Sequence, residues 1–368
     1  MRFWIVSMLV LPWVVLTAGC KMSMTQSASN AGNPQPSVDA DRHNIDVPLA
    51  WGGEMRCSSL GCYLGVVEHE TSKLALHRMH GRKSIFLDRQ PLAYHPDSAI
   101  WLTDQLLVAA VEDSNSLDVF KVEHERLMRV QQIGIAFHPR DVIWLDSVGA
   151  EHSMLAVPYS GRQIAKVTWH EASSAAAKVE WAEWCASPWH PVKVSRAPSF
   201  TGAGIVVACL DDRKVIAIPK DRLLTRPVTL VNFQNIPRQA RPSPSGKWLY
   251  VALEIGGKNA RIDMDTGNVQ MLDAHEAGSV SVVALSDDVV IWGGDQMLQI
   301  QRIDSEGNIM ENRWLRTSGF STGLQLLDVD QDGERDIVVF NSAGGGVDVL
   351  FGPLWEKANN KSTKNSAN

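Results

Sequence analysis

Acidic residues near the end of the sequence have the spacing of a calcium-binding loop. Residues 328–336 read Asp-Val-Asp-Gln-Asp-Gly-Glu-Arg-Asp, so carboxylates stand at relative positions 1, 3, 5 and 9, and glycine stands at position 6. Such carboxylates can converge on one hard cation, and the glycine permits the sharp turn that this requires. An EF-hand would need glutamate at position 12, where this sequence has Val339. The spacing therefore predicts a calcium loop of another kind.

Short apolar runs flank this loop, at 324–327 and 337–340, and they are typical of strands. The loop between them resembles the calcium loop of FG-GAP/VCBS-type repeats, and the resemblance covers about residues 320–352. It implies that one structural Ca²⁺ is held by side-chain oxygens and by one backbone carbonyl. The implied side-chain ligands are Asp328, Asp330, Asp332 and Asp336, and the implied carbonyl belongs to Glu334. The alternative is a polar hairpin turn that binds no ion.

Three histidines stand before proline in similar phrases: His95, His138 and His190. Basic residues follow in two of these phrases and in a fourth, weaker one: Arg140, Lys193 and Arg238. If the phrases are structurally equivalent, these side chains surround one centre and form a partly cationic funnel that suits a carboxylate or another anion. Three imidazoles could also hold a transition metal ion. The alternative is architectural, with each histidine packed on its proline and hydrogen-bonded to a neighbouring backbone.

The sequence offers no catalytic motif in the right context. Residues 319–323, Gly-Phe-Ser-Thr-Gly, match the nucleophile elbow by letter, but the elbow needs a helix after the serine, and here a strand pattern follows. The 41 acidic residues outnumber the 35 Lys and Arg residues, which gives a net charge of −6 at pH 7. A chain of this charge is poorly suited to the phosphate backbone. We therefore predict no catalytic residue and no nucleic-acid interface.

Two repeated phrases indicate the architecture. Residues 93–102 match 136–145 at an offset of 43, and residues 261–269 match 302–309 at an offset of 41 between their first aspartates. Between such landmarks lie short apolar runs, rich in Val and Ile and bounded by turn residues, which are typical of strands. A period of this length with about four short strands is typical of a β-propeller. The phrases resemble those of YVTN-type bacterial propellers.

The repeat predicts an all-β fold, one β-propeller over 47–352 with seven blades, each a four-stranded antiparallel sheet. The His-Pro phrase would enter an innermost strand, because proline has no N–H to donate to the ladder. The Asp-x-x-x-Gly phrase would form a turn between outer strands. Two stacked β-sandwiches are the alternative fold. The predicted blades lie near 47–90, 91–134, 135–186, 187–232, 233–275, 276–317 and 318–352.

The first twenty residues predict export and lipid attachment. Arg2 precedes an apolar run that is too short for a permanent membrane-spanning helix, as expected of a signal peptide. Residues 16–20, Leu-Thr-Ala-Gly-Cys, resemble the lipobox of bacterial lipoproteins. The resemblance implies removal of residues 1–19, acylation of Cys20 and, since Lys21 follows, sorting to the outer membrane. The alternative is an ordinary signal peptide.

Polar segments lie on both sides of the predicted propeller. Residues 20–46 are rich in Ser, Asn, Pro, Gln and Asp, a composition that predicts a flexible tether between the lipid and the fold. Residues 353–368 are equally polar and are predicted to form a disordered tail.

Four cysteines remain besides Cys20. An even number of cysteines in an oxidising compartment predicts disulfides. Their spacing pairs Cys57 with Cys62 and leaves Cys185 with Cys209. Two buried free thiols are the alternative for the second pair.

These features favour a lipid-anchored envelope propeller that acts as a non-catalytic binding or scaffold module for a protein or polysaccharide partner. Propellers offer broad rigid faces on which binding loops sit. The alternative is a lactonase- or lyase-like propeller enzyme with its site in the central channel. An exposed aromatic contact is expected around Cys185, from Trp181, Trp184 and Trp189.

Overall fold

A computed structural model describes residues 41–171, 176–275 and 277–354. Within these residues, seven antiparallel four-stranded sheets form a ring. The first strands of successive sheets contact each other around a central channel. The chain is a seven-bladed all-β propeller, so the predicted fold class and blade number are confirmed. The predicted signal peptide, Cys20 and residues 355–368 of the predicted tail lie outside the described residues.

Each blade takes its strands in chain order from the channel outward, except blade 7, whose outer strand comes from the start of the fold. Blade 1 contains β2 (Ala50–Ser58), β3 (Gly61–Glu68), β4 (Lys73–His80) and β5 (Lys83–Pro91). Blade 2 contains β6 (Pro96–Trp101), β7 (Leu106–Val111), β8 (Ser116–Glu123) and β9 (Arg126–Gly134). Blade 3 contains β10 (Pro139–Val148), β11 (Glu151–Pro158), β12 (Gln163–His170) and β13 (Lys178–Glu183). Blade 4 contains β14 (Pro188–Val194), β15 (Gly204–Cys209), β16 (Lys214–Pro219) and β17 (Val228–Asn232).

The remaining three blades follow the same plan. Blade 5 contains β18 (Ile236–Pro242), β19 (Trp248–Glu254), β20 (Lys258–Asp263) and β21 (Val269–Asp273). Blade 6 contains β22 (Ser281–Ala284), β23 (Val289–Gly293), β24 (Met297–Ile303) and β25 (Ile309–Arg316). Blade 7 contains β26 (Ser321–Leu327), β27 (Asp336–Asn341), β28 (Gly346–Leu350) and β1 (Arg42–Ile45). A 3-10 helix, Lys220–Arg222, follows β16, and no helix among the described residues has the length and apolarity to cross a membrane.

The ring is closed by a segment that the sequence assigned to the tether. Residues Arg42–Ile45 pair antiparallel with β28, so the fold begins before the predicted boundary at residue 47. The Asn44 amide donates to the Gly345 carbonyl oxygen at 2.6 Å and to Asp348 Oδ1 at 2.9 Å. The segment is polar apart from Ile45, so its hydrophobic pattern does not distinguish it from a linker.

Apolar burial lies mainly between blades. The second strand of a blade is covered on both faces by its neighbours, and in β7, β15 and β27 every residue is buried. Fully covered strands read as continuous apolar runs. Outer strands are only partly covered, and in β9 only Leu127 and Ile133 are buried. The described hydrophobic clusters each join neighbouring blades, as Met55 and Leu64 of blade 1 do with Val347 of blade 7.

The Asp-x-x-x-Gly phrases form the turns that the sequence predicts between third and fourth strands. Asp263 Oδ1 accepts hydrogen bonds from the Asp265 and Thr266 N–H groups, at 2.9 and 2.8 Å. Gly267 has φ of +78°, a conformation that glycine adopts without a steric cost. Asp304 caps the matching turn in blade 6 through the Asn308 N–H.

Both predicted disulfides are present. Cys57 and Cys62 face each other across the hairpin of β2 and β3, and they are bonded. Cys185, which follows β13 of blade 3, is bonded to Cys209 at the end of β15 in blade 4. Since Cys185 and Cys209 are both buried, the second disulfide fastens two neighbouring blades inside their shared core.

Candidate ligand site in the central channel

The start of most innermost strands turns side chains into the channel. In six blades of the described propeller, the register between the first and second strands shifts just after the first strand begins. Such bulges re-aim side chains away from the regular alternation of a strand. The residues at these shifts are Trp51, Asp97, Arg140, His190, Pro191, Arg238 and Thr322. All of them line one cavity of about 620 Å³, a volume typical of small-ligand sites.

Two arginines lie close to the ring of Trp189 in this cavity. The guanidinium carbon of Arg140 is 3.5 Å from the centre of the Trp189 ring, and that of Arg238 is 4.5 Å away. Arg140 also lies 4.6 Å from the ring centre of Tyr159. The faces of aromatic rings attract guanidinium groups. The rings of Trp189 and Tyr159 therefore hold the positive charges of Arg140 and Arg238 close together in the channel.

The positive charge of Arg140 and Lys193 is not balanced by a direct carboxylate partner. Among the described residues, no carboxylate oxygen lies within 4.0 Å of either side-chain cation, and Arg140 Nε is buried without a hydrogen-bond partner. Arg238 does form an ion pair, with its Nε 3.1 Å from Glu254. Burial lowers the pKa of Arg140 and of Arg238, although both guanidinium groups stay protonated. Because a partly buried positive charge without a carboxylate beside it is costly, the cavity favours an anion.

Two acids that line the cavity, Glu54 and Asp97, have raised pKa values. Burial raises the pKa of Glu54, whose carboxylate accepts the Trp101 N–H at 2.7 Å. Burial likewise raises the pKa of Asp97 to about 8, although the positive charge of Arg140 opposes the shift. The shift of Asp97 favours its neutral acid at pH 7. Five Arg and Lys side chains and three acids line the cavity, so its net charge is positive.

His190 is paired with an acid rather than free in the channel. Its Nδ1 lies 3.0 Å from Asp141 Oδ2. Burial lowers the pKa of His190, and Asp141 opposes this shift by stabilising the imidazolium. The pairing orients the ring and leaves Nε2 as its second polar atom.

The predicted channel residues are only partly brought together. Arg140, Lys193, Arg238 and His190 line the cavity, whereas His95 and His138 do not. Three matching backbone bonds define equivalent positions in blades 2, 3 and 4: Glu112 N to His95 O, Tyr159 N to His138 O, and Leu210 N to Ser187 O. Ser187, not His190, is therefore the equivalent of His95. The expectation that all three histidines occupy matching places is not met, because His190 lies within the bulge of β14.

Sequence reasoning missed several residues of the site: Trp51, Glu54, Asp97 and Asp141. A signal existed, since the residue that follows each phrase's proline falls at the bulge in blades 2, 3 and 5.

The three tryptophans that were expected to form one exposed aromatic contact near Cys185 lie in three different environments. Trp181 is exposed, Trp184 is buried with its Nε1 donating to the Leu223 carbonyl oxygen, and Trp189 lies in the channel.

The acidic loop between β26 and β27 brings three of its predicted ligands together. Asp328, Asp330 and Asp332 each place an oxygen within 4.8 Å of the others. Asp328 Oδ1 and Asp330 Oδ1 are buried and have no hydrogen-bond partner. Arg82 of blade 1 lies against the same loop, with its Nε 2.6 Å from Asp330 Oδ2. Buried acceptors without donors fit a cation, and these two oxygens agree with the predicted Ca²⁺ site, which stays a prediction.

Asp336 has a different environment from the other acids of the loop. Its Oδ2 accepts the Val329 N–H at 2.7 Å, and its Oδ1 accepts the Gly352 N–H at 2.8 Å. The first bond closes the loop onto the start of β27, and the second joins β27 to the segment that follows β28. Glu334 is exposed, and its N–H donates to Asp332 Oδ1 at 2.8 Å.

Comparison with known proteins supports the fold alone. No protein-family model and no curated protein sequence matches this chain. Among solved structures, a chain of Kuenenia stuttgartiensis hydrazine synthase is similar, with a TM-score of 0.63. The match covers 85% of this chain and 98% of that chain, at 11% sequence identity. At an identity this low, the similarity supports the propeller architecture and gives no evidence of a shared activity.

Proposed function

We propose that this propeller is an exported, lipid-anchored binding module of the outer membrane that captures a carboxylate-bearing ligand, such as a sugar acid or a uronic polysaccharide end, in its central channel. The observation that supports the ligand class is the pair of guanidinium groups around Trp189, of which Arg140 lacks a carboxylate partner. Guanidinium groups bind carboxylates through strong, charge-assisted hydrogen bonds. The lipid anchor rests on the lipobox-like sequence that ends at Cys20.

Arg140 carries most of this proposal, so its removal is the first test. We expect that Arg140→Ala weakens binding of glucuronate and galacturonate roughly 10- to 100-fold, since a hydrogen bond to a charged group contributes about 1.5–3 kcal/mol. Isothermal titration calorimetry with the uronates, and with neutral glucose for comparison, measures the effect. Arg140→Lys keeps the charge and is expected to retain an intermediate affinity.

The matched control is Arg162→Ala, which removes an exposed arginine that pairs with Asp212 outside the channel. It is expected to leave uronate affinity unchanged. Thermal unfolding of each variant separates lost binding from lost folding. Equal affinity of wild type for glucose and glucuronate, or undiminished affinity in folded Arg140→Ala, contradicts the proposal.

The alternative function is a propeller lyase or lactonase, and the pairing of His190 with Asp141 favours it. An imidazole whose pKa is lowered by burial is neutral at pH 7 and can act as a general base. Asp97, with a pKa raised to about 8, can donate a proton in the same cavity. Product analysis after incubation with uronic oligomers and lactones separates the two functions. Turnover that is lost in His190→Gln supports the enzyme, and intact ligand supports the binding module.

A further inference from the structure

A second cluster of ligand-type side chains lies at the rim of the channel, between blades 2 and 3. Glu112 and Asp113 directly follow β7, and His138 directly precedes β10. One potential ligand atom from each of these three residues lies within 4.8 Å of the other two. None of the three lines the channel cavity, so the cluster is distinct from the anion site.

The backbone fixes this arrangement. The Glu112 N–H donates to the His95 carbonyl oxygen at 3.0 Å, and the Asp113 N–H donates to the Tyr94 carbonyl oxygen at 3.4 Å. The ring of His138 lies across the blade junction, with its Nδ1 3.0 Å from the Glu112 carbonyl oxygen. Because a carbonyl oxygen only accepts, Nδ1 must carry the proton, and the lone pair is left on Nε2. Metal-binding histidines commonly show this pattern of one ring nitrogen donating to a carbonyl.

A buried carboxylate beside the cluster provides an independent reason for a cation there. The Asp97 side chain is 2% exposed, and its Oδ2 has no hydrogen-bond partner. The register of β6 with β7 places Pro96 opposite Val111, so Asp97 and Glu112 each stand next to this pair. A buried carboxylate oxygen without a donor favours a cation nearby.

Imidazoles surround the acids and indicate the class of cation. His95 Nδ1 lies 3.9 Å from Asp113 Oδ1, and His69 Nδ1 lies 3.6 Å from Asp97 Oδ1. The rings of His69 and His95 are stacked, with centres 4.8 Å apart. Mixed imidazole and carboxylate ligands suit Zn²⁺, Mn²⁺, Fe²⁺ or Co²⁺, whereas Ca²⁺ takes oxygen ligands alone.

We propose that Glu112, Asp113 and His138 bind a divalent transition metal ion at the rim of the channel, with His95 as the nearest additional imidazole. Two successive blades supply the ligands, so the ion would fasten their junction. Its positive charge would also lie beside the cationic channel.

Titration of the full chain, without a histidine tag, with Co²⁺ tests the proposal through the visible absorption of the bound ion. We expect one equivalent to bind, and expect His138→Ala and Glu112→Gln each to weaken binding at least about 10- to 100-fold, the loss that even outer-sphere changes cause. Glu112 is only partly buried and glutamine has nearly the same shape, so this variant is expected to fold. Zn²⁺ is expected to displace Co²⁺ and to raise the melting temperature of wild type.

Two control variants make the result specific. His80→Ala removes an exposed histidine of blade 1, and Asp332→Asn removes an acid of the loop in blade 7. Both are expected to leave Co²⁺ binding unchanged. Three results overturn the proposal: no Co²⁺ spectrum and no Zn²⁺ shift in wild type, unchanged binding in folded His138→Ala and Glu112→Gln, or loss of binding in Asp332→Asn.

Discussion

Lys193 lies in the channel with its ammonium 3.6 Å from the ring centre of Trp144. Burial and, to a smaller extent, the charge of Lys220 lower the pKa of Lys193 to about 8, while Asp146 and Glu54 oppose the shift. A lysine with this pKa is mostly protonated at pH 7 and mostly neutral at pH 9. Among the basic groups of the channel, it can lose its charge within an experimentally accessible range, whereas the arginines cannot.

This titration predicts a pH-dependent affinity for anions. As pH rises from 7 to 9, the free protein loses the Lys193 proton, so wild type is expected to bind glucuronate about two- to fivefold more weakly, the equivalent of one exposed ion pair. Calorimetric titrations at four pH values measure the profile. Asp97 of the same cavity, with a pKa of about 8, gains a negative charge over the same range and also weakens anion binding. Lys193→Arg keeps its charge and Lys193→Met has none, so both variants are expected to give a shallower profile than wild type, with the remaining slope due to Asp97. A slope in Lys193→Met as steep as that of wild type contradicts the assignment.

Residue-scale prediction succeeded where the repeat is regular and failed where a bulge changes. The sequence identified Arg140 and Arg238 because each follows the proline of its phrase, and both lie at the bulge. In β14 the register shift spans two residues, between Trp189 and Val192, which moves His190 away from the expected position. The number of residues in a bulge depends on packing against the next blade, which a single sequence does not reveal.

At the scale of elements, the acidic loop joins two blades that are far apart in the sequence. Arg82, in the turn between β4 and β5, contacts Asp330 at 2.6 Å, Asp332 at 3.5 Å and Asp41 at 2.5 Å. The guanidinium therefore lies on the carboxylates that the spacing assigns to Ca²⁺. Because the two cations share the same ligands, calcium binding and this ion-pair network are expected to be coupled.

Calcium is expected to stabilise the propeller through this loop. A ligand at about 100 times its Kd adds about 2.7 kcal/mol, so millimolar Ca²⁺ should raise the melting temperature by several degrees. Asp330→Ala is expected to abolish the shift, whereas Asp221→Asn, an exposed acid of blade 4, should keep it. Arg82→Ala is expected to lower the melting temperature without Ca²⁺ and to enlarge the calcium shift. Differential scanning fluorimetry measures all four proteins, and an unshifted wild type contradicts the calcium site.

A strand could be predicted from the sequence more readily when it buries more apolar surface. The fully buried second strands, such as Leu106–Val111 and Gly204–Cys209, are evident as apolar runs. Trp101 and Trp144 align in the repeat, yet Trp101 is buried against blade 1 and Trp144 is 37% exposed in the channel. The repeat therefore predicts where an element begins, and the neighbouring blade decides what its side chains contact.

At the scale of the whole molecule, closure of the ring depends on a four-residue strand. Asp348 is fully buried, and its carboxylate accepts hydrogen bonds from Asn44 of β1, from Asn341 and from the N–H and hydroxyl of Ser318. Ile45 is 1% exposed and packs in the cluster between blades 7 and 1. These contacts join the beginning of the fold to its end, so they should stabilise every blade cooperatively. A polar strand of this length gives little signal in a sequence, because only its closure contacts define it.

The closure predicts that a small change at the start of the fold destabilises the whole ring. Ile45→Ala is expected to lower the free energy of unfolding by about 2–5 kcal/mol, the usual cost of truncating a buried isoleucine. Arg42→Ala, an exposed position of the same strand, should change it by less than about 0.5 kcal/mol. Urea unfolding, followed at fixed Ca²⁺ by tryptophan fluorescence and by circular dichroism, measures both. If β1 closes the ring, the two signals shift together in Ile45→Ala, because loss of one blade junction exposes the edge of β28 and releases its neighbours. A shift confined to one signal, or a loss no larger than that of Arg42→Ala, would mean that the propeller is held by the other blade junctions and not by its closure.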